Sequence, residues 1–214
     1  MLVIFTVIRV RTVGGIDTVV WLIVGMLAFF MFRRTATQVT KAISANQALF
    51  TYRQVKPVDT VLVRGGLEGF LMVLVAGILL TGAALFGHSV VPADPLAVLE
   101  AFLGLWLVGM GFGLVASVAG ELVPELGRVI DFVMMPLYLI SGVIVPLSAV
   151  PQPYREWLML NPVAHGLEAA RLGFAPYYHA VPELSMAYLY GFALACIFLG
   201  LALHRRFALR LVTQ

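Results

Sequence analysis

Apolar residues run along this chain in long blocks separated by short polar stretches. Five blocks reach or approach the roughly 20 residues a helix needs to cross about 30 Å of hydrocarbon. They cover residues 16–32, 58–86, 96–119, 129–150 and 185–203. Backbone groups in lipid must be satisfied within the segment, so such blocks are predicted as helices. A membrane barrel would instead show alternation over strands of about 10 residues, and these runs are unbroken. A sixth apolar stretch, residues 1–8, would rise only about 12 Å as a helix. It reads as part of a first span, incomplete here, in a six-span pattern. The expected fold is therefore an all-α, polytopic membrane helix bundle, one domain over residues 1–214.

Two of the connections carry patterns of their own. Within the 35–57 connection, residues 35–51 carry a modest apolar stripe of Val39, Ile43, Ala45, Leu49 and Phe50, and no glycine or proline intervenes before Pro57. That spacing predicts a short amphipathic helix. Residues 151–184 are semi-apolar pieces, each too short to span. Asn161 followed by Pro162 is a helix cap with proline at the first helical position. Two short helices at or dipping into the membrane surface are expected there. Tyr154, Trp157, Tyr177 and Tyr178 are residues of the kind enriched at the interface.

Composition strengthens the membrane reading. The chain is 61% hydrophobic and 12% charged, against about 25% charged for a soluble domain. The net charge of +3 gives no reason to expect a nucleic-acid partner, but the basic residues are unevenly placed. Arg33, Arg34, Lys41, Arg53, Lys56, Arg128, Arg205, Arg206 and Arg210 fall in segments that alternate onto one side; Arg9, Arg11, Arg155 and Arg171 fall on the other. The richer side is expected to be cytoplasmic. The 35–57 connection then faces the cytoplasm and 151–184 the outside. Cys196 is the sole cysteine, so no intrachain disulfide or thiolate metal site can form.

Candidate chemistry narrows the function by what is missing. No G-x-x-x-x-G-K-[ST] loop is present. The histidines at 88, 165, 179 and 204 lack metal-ligand spacing, and there is no G-x-S-x-G elbow. No cofactor or metal is expected on this chain, and energy for any uphill work must come from a partner. Within the blocks, Arg64 and Glu68 are four apart and share one helix face, which reads as an intramembrane pair or a substrate contact. Asp131 opens the 129–150 block, where a carboxylate suits a helix start. The clustered glycines of 65–69 and 104–113 read as packing positions. Pro136 and Pro146 are candidates to bend the 129–150 helix.

One phrase says more. AISANQALFTYRQVKPVDTVLVR, residues 42–64, resembles the cytoplasmic loop of the permease subunits of ATP-binding-cassette polysaccharide exporters. It matches their pattern at Ser44, Asn46, Leu49, Phe50, Lys56, Pro57 and Asp59. A second stretch, residues 139–174, resembles the family's last-but-one span and the external gate helices that follow it. The resemblance implies a homodimer clamped to two copies of an ATP-hydrolysing subunit, which alone binds ATP and magnesium. It makes Ile43, Ser44, Ala45, Asn46, Gln47, Leu49 and Phe50 the coupling helix to that subunit, and Tyr154, Trp157, Asn161, Pro162, His165 and Arg171 the external gate. The implied cargo is a lipid-linked polysaccharide, with capsule favoured, passed on to periplasmic and outer-membrane conduit proteins from the bacterial inner membrane. Sugar rings stack their C–H faces on flat side chains, and the resemblance implies that the first, second and fifth spans line the channel. Trp21, Phe29, Phe132 and Tyr138 are thus the expected wall, with packing as the alternative for each. An O-antigen or teichoic-acid permease, a membrane-embedded glycan-processing transferase and a passive channel remain as other readings.

Overall fold

A computed structural model describes residues 12–13, 15–52, 54–123 and 125–212. The expected partial first span, with Arg9 and Arg11, lies outside the described residues, as does Arg53. The chain enters through two short paired strands, β1 (Thr12–Val13) and β2 (Ile16–Asp17). Asp17 then caps α1 (Thr18–Thr40), its Oδ1 accepting from the Val19 amide at 2.8 Å.

The first helix runs further than the apolar block beneath it. It continues past Arg33 and Arg34 to Thr40 because nothing in that stretch breaks a helix. The polar side chains there join the ladder: Thr37 Oγ1 donates to Arg33 O at 2.9 Å and Thr40 Oγ1 to Ala36 O at 2.7 Å. The amphipathic helix expected over 35–51 is therefore divided. Its first part belongs to α1, and its second winds as a 3-10 segment, Ser44–Thr51, kinked at Asn46. Asn46 Nδ2 donates to Ala42 O at 2.7 Å, a side-chain bond that competes with regular α geometry.

Helix α2 (Pro57–Leu85) opens with proline at its first position, and the Asp59 carboxylate accepts from the Lys56 amide at 3.0 Å. Helix α3 (Pro95–Leu122) also opens with proline, and here the capping residue itself, Asp94, accepts from Ala97 N at 3.0 Å. Helix α4 (Glu125–Ile140) is shorter than the 129–150 block. It starts earlier and ends at Ile140, where Gly142 takes a positive φ of 79° and turns the chain. Of the two prolines expected inside this helix, Pro136 is within it and Pro146 is not; Pro146 precedes a 3-10 turn, Leu147–Ala149. Helix α5 (Tyr154–Leu158) is a single turn. Helix α6 (Pro162–Phe174) is capped by Asn161, whose Oδ1 accepts from Val163 N at 3.0 Å. Helix α7 (Met186–Val212) completes the bundle.

Among the described residues four helices, α1, α2, α3 and α7, are long and apolar enough to cross a membrane. They divide by burial. The apolar windows of α1 and α3 are 67% buried, those of α2 and α7 17%. So α1 and α3 form the centre, while α2 and α7 turn broad apolar faces outward, as a bilayer or a partner helix requires. Glycines on α3 let both neighbours close in: a Cβ on Gly109 would meet Phe32 O of α1 at 2.7 Å, and one on Gly104 would meet Leu189 of α7 at 2.6 Å. Helix α6 packs into this centre, against α3 and α1.

Candidate functional site

The connection after α1 has an anchored side and an exposed side. Ile43 is fully buried and Phe50 is 8% exposed, both inside a cluster with Val39, Val61, Met110 and Leu114. Ser44, Ala45, Gln47 and Leu49 are exposed, and Asn46 is half-buried. The seven predicted coupling residues thus lie together, but only some can meet another protein. Lys41 Nζ reaches the Asp131 carboxylate of α4 at 3.0 Å. Asp131 is therefore not at the helix start, as its place in the sequence suggests; it sits in the second turn of α4 and ties that helix to the connection. A groove of about 530 Å³ opens here between Lys41, Ser44, Gln47, Glu121, Arg128 and Asp131.

The predicted Arg64–Glu68 pair forms at 3.0 Å. Glu68 is 1% exposed, and a second arginine, Arg34 of α1, binds the same carboxylate at 3.1 Å. Arg64 also donates to Gln38 Oε1. Two guanidiniums on one carboxylate leave the cluster net positive. It borders a groove of about 760 Å³ between α1 and α2, lined by Met26, Phe30, Met72 and Leu79 along its length and by Arg33, Arg34, Thr37 and Gln38.

The four predicted channel aromatics separate. Trp21 and Phe29 are fully buried within the protomer. Phe29 packs edge-on to Phe32 and Tyr138, with ring centroids 6.1 and 5.1 Å apart. Tyr138 is half-buried, and Phe132 is 77% exposed on α4.

The residues predicted for the gate separate too. Tyr154 and Trp157 of α5 are 68% and 75% exposed. Pro162 is half-buried at the start of α6, beside the capping Asn161. His165 and Arg171 are buried. The Nδ1 of His165 accepts from the Ser185 amide at 3.0 Å and its Nε2 lies 2.7 Å from Met159 O, which fixes the ring as the neutral Nε2–H tautomer. Burial pushes its pKa down in the same direction. Arg171 is stacked on Trp21, its guanidinium carbon 3.6 Å from the ring centroid. It donates to Gly142 O at 2.8 Å, to Val143 O at 3.0 Å and to Glu168 at 3.4 Å. Both Glu168 oxygens accept from the Tyr178 hydroxyl at 3.0 Å. Burial pushes Glu168 up, opposed by Arg171 and Tyr178; burial and the Glu168 charge raise Tyr178 to about 12.

Glu168 had no role in the sequence reading, Arg34 stood there only among the basic residues of one side, and Tyr178, expected at the interface, is instead buried at 4% exposure. The i, i+3 spacing of Glu168 and Arg171 was a readable signal; the contacts of Arg34 and Tyr178 are tertiary and leave none. Among the described residues no three His, Cys, Asp or Glu side chains gather as metal ligands would.

The family model for ABC-2 type transporters matches residues 1–175. This chain belongs to that family. Relatives of this ABC-2 transporter chain include the polysialic acid transport protein KpsM of Escherichia coli, 35% identical over 205 residues, 96% of this chain and 79% of that one. The capsule polysaccharide export inner-membrane protein CtrC of Neisseria meningitidis is 30% identical over 177 residues, 81% of this chain and 66% of its own. BexB of Haemophilus influenzae, which has the same descriptive name as CtrC, is 23% identical over 204 residues, 94% of this chain and 76% of its own. The family membership and the four long apolar helices make this a multi-pass membrane protein of transporter type, working with an ATP-binding partner.

Proposed function

We propose that this chain is the permease subunit of an exporter that moves capsular polysaccharide across the bacterial inner membrane, driven by ATP hydrolysis in a partner. In this reading two copies of the chain form the path and two ATPase subunits bind beneath them. ATP and magnesium stay with the ATPase, and the chain itself catalyses no reaction. The observation that carries the reading is the divided connection after α1. Ile43 and Phe50 fix it to the bundle, while Ser44, Ala45, Gln47 and Leu49 are exposed, Ser44 and Gln47 lining an open groove. A segment anchored on one side and exposed on the other can receive a push and pass it into the helix it ends.

The groove between α1 and α2 supports a lipid-linked cargo. Its apolar wall suits acyl chains, and Arg33 with the net-positive Arg34–Arg64–Glu68 cluster suits a lipid phosphate. The exposed Phe132 and the half-buried Tyr138 are the aromatics placed to meet a glycan; Trp21 and Phe29 serve the interior of the protomer. Periplasmic and outer-membrane conduit proteins would receive the polymer beyond the exposed Tyr154 and Trp157. The functions named for KpsM, CtrC and BexB favour capsule over O-antigen or teichoic acid.

The test is photo-crosslinking from Gln47 in native membranes. The expected product joins this chain to a nucleotide-binding protein. Crosslinks to lipid alone, in membranes that export normally, would contradict the reading.

A further inference from the structure

Arg171 is enclosed completely, yet it touches four separate parts of the fold. It rests on Trp21 of α1, pairs with Glu168 on its own helix, and donates to two successive carbonyls in the turn after α4, Gly142 and Val143. Through Glu168 it reaches Tyr178 in the connection to α7. Gly25, one turn below Trp21, makes room for it, since a Cβ there would lie 2.3 Å from Nη2. The same turn is held a second time by α6, because Asn161 Nδ2 donates to Ser141 Oγ at 2.8 Å. Helix α6 thus grips the outer end of α4 at both of its own ends, and Arg171 fastens that assembly to α1.

The other end of α1 is the cytoplasmic connection. From Trp21 to Lys41 the helix rises about 30 Å, unbroken by proline. We propose that Arg171 is a positioning residue that locks the outer gate turn, residues 141–143, to the outer end of α1. Displacement of the Lys41–Thr51 connection is then delivered by α1 to the outer mouth. This rests on the exporter reading above. The chemistry calls for arginine. One guanidinium donates from its two terminal nitrogens to two adjacent carbonyls while its carbon sits over an indole; a lysine ammonium, a single point charge on one nitrogen, cannot meet all three at this spacing. A buried ion pair kept only for stability would be replaceable without selective loss of coupling.

The test is Arg171→Lys in a Cys196→Ala, Ser148→Cys background, position 148 being exposed beside the turn. The full complex with its ATPase is compared with the parent. Arg171→Lys is expected to assemble normally and to hydrolyse ATP within about twofold of the parent, while export falls about tenfold or more. The change in thiol labelling at position 148 between ATP-free and vanadate-trapped states is expected to disappear. Export at the parental rate, or a retained labelling change, overturns the proposal. If Arg171→Lys does not assemble, Gly25→Ala, which displaces Nη2, is read by the same criteria. Loss of export in proportion to loss of folded complex in both variants makes the role structural and overturns it as well. A parent that neither binds an ATPase nor exports would overturn the exporter reading first, and the proposal with it.

Discussion

The guanidinium carbon of Arg171 lies over the indole of Trp21, 3.6 Å from its centroid, where α6 packs against α1. Both side chains are fully buried. The ring therefore supplies packing and a charge-accepting face together. Trp21→Phe keeps an aromatic face and should cost about 1–2 kcal/mol; Trp21→Ala opens a cavity under the cation and should cost about 3–5 kcal/mol. Thermal unfolding of the purified protein in detergent checks the order. Equal costs would mean that the indole is only filler.

Glu68 serves two arginines, Arg34 and Arg64, one from each of two helices. Both arginines are more than a third exposed, so the effect is smaller than for an enclosed pair. Glu68→Gln should destabilise by about 1–2 kcal/mol, and Arg34→Gln by less, because Arg64 remains. The contrast is read from the melting temperatures of the two variants.

The divided connection predicts opposite phenotypes at two nearby positions. Leu49→Asp places a charge on an exposed position and should abolish co-purification of the ATPase while leaving the permease folded. Ile43→Asp buries an unpaired carboxylate and should abolish accumulation of the protein in the membrane. Size-exclusion profiles and membrane yields separate the two.

Arg155 of α5 binds Glu183 at 2.9 Å and holds that carboxyl below its ordinary range. A depressed carboxyl pKa stabilises the folded state above the ordinary value, and the contribution is lost as pH falls through the folded value. Stability measured against pH should therefore decline on the acid side, and Arg155→Gln should flatten part of that decline. An identical acid limb in the variant would mean that the tie between α5 and the segment before α7 contributes nothing.

Much of this was legible in the sequence because bilayer physics is blunt. Apolar block length predicted helices where α1, α2, α3 and α7 lie, and Asn161-Pro162 predicted the start of α6. What escaped was set by contacts. The block at 129–150 looked continuous because Ser141, Gly142 and Val143 are apolar or small, yet Gly142 turns the chain and Arg171 takes the freed carbonyls. Trp21 and Phe29 looked like wall residues because hydropathy does not distinguish a face toward a channel from one toward a neighbouring helix. Arg34 looked like a boundary charge because its partner lies 34 positions away, on α2.

The central claim is ATP-driven passage of a polysaccharide through this subunit. Inside-out membrane vesicles containing the permease and its ATPase, supplied with lipid-linked capsular polymer on their outer face, measure it directly. On addition of ATP the polymer should become protected from an added glycan lyase, and Leu49→Asp should prevent that protection. Polymer that stays fully lyase-sensitive with ATP and an active ATPase, or that is protected equally without ATP, would contradict the account.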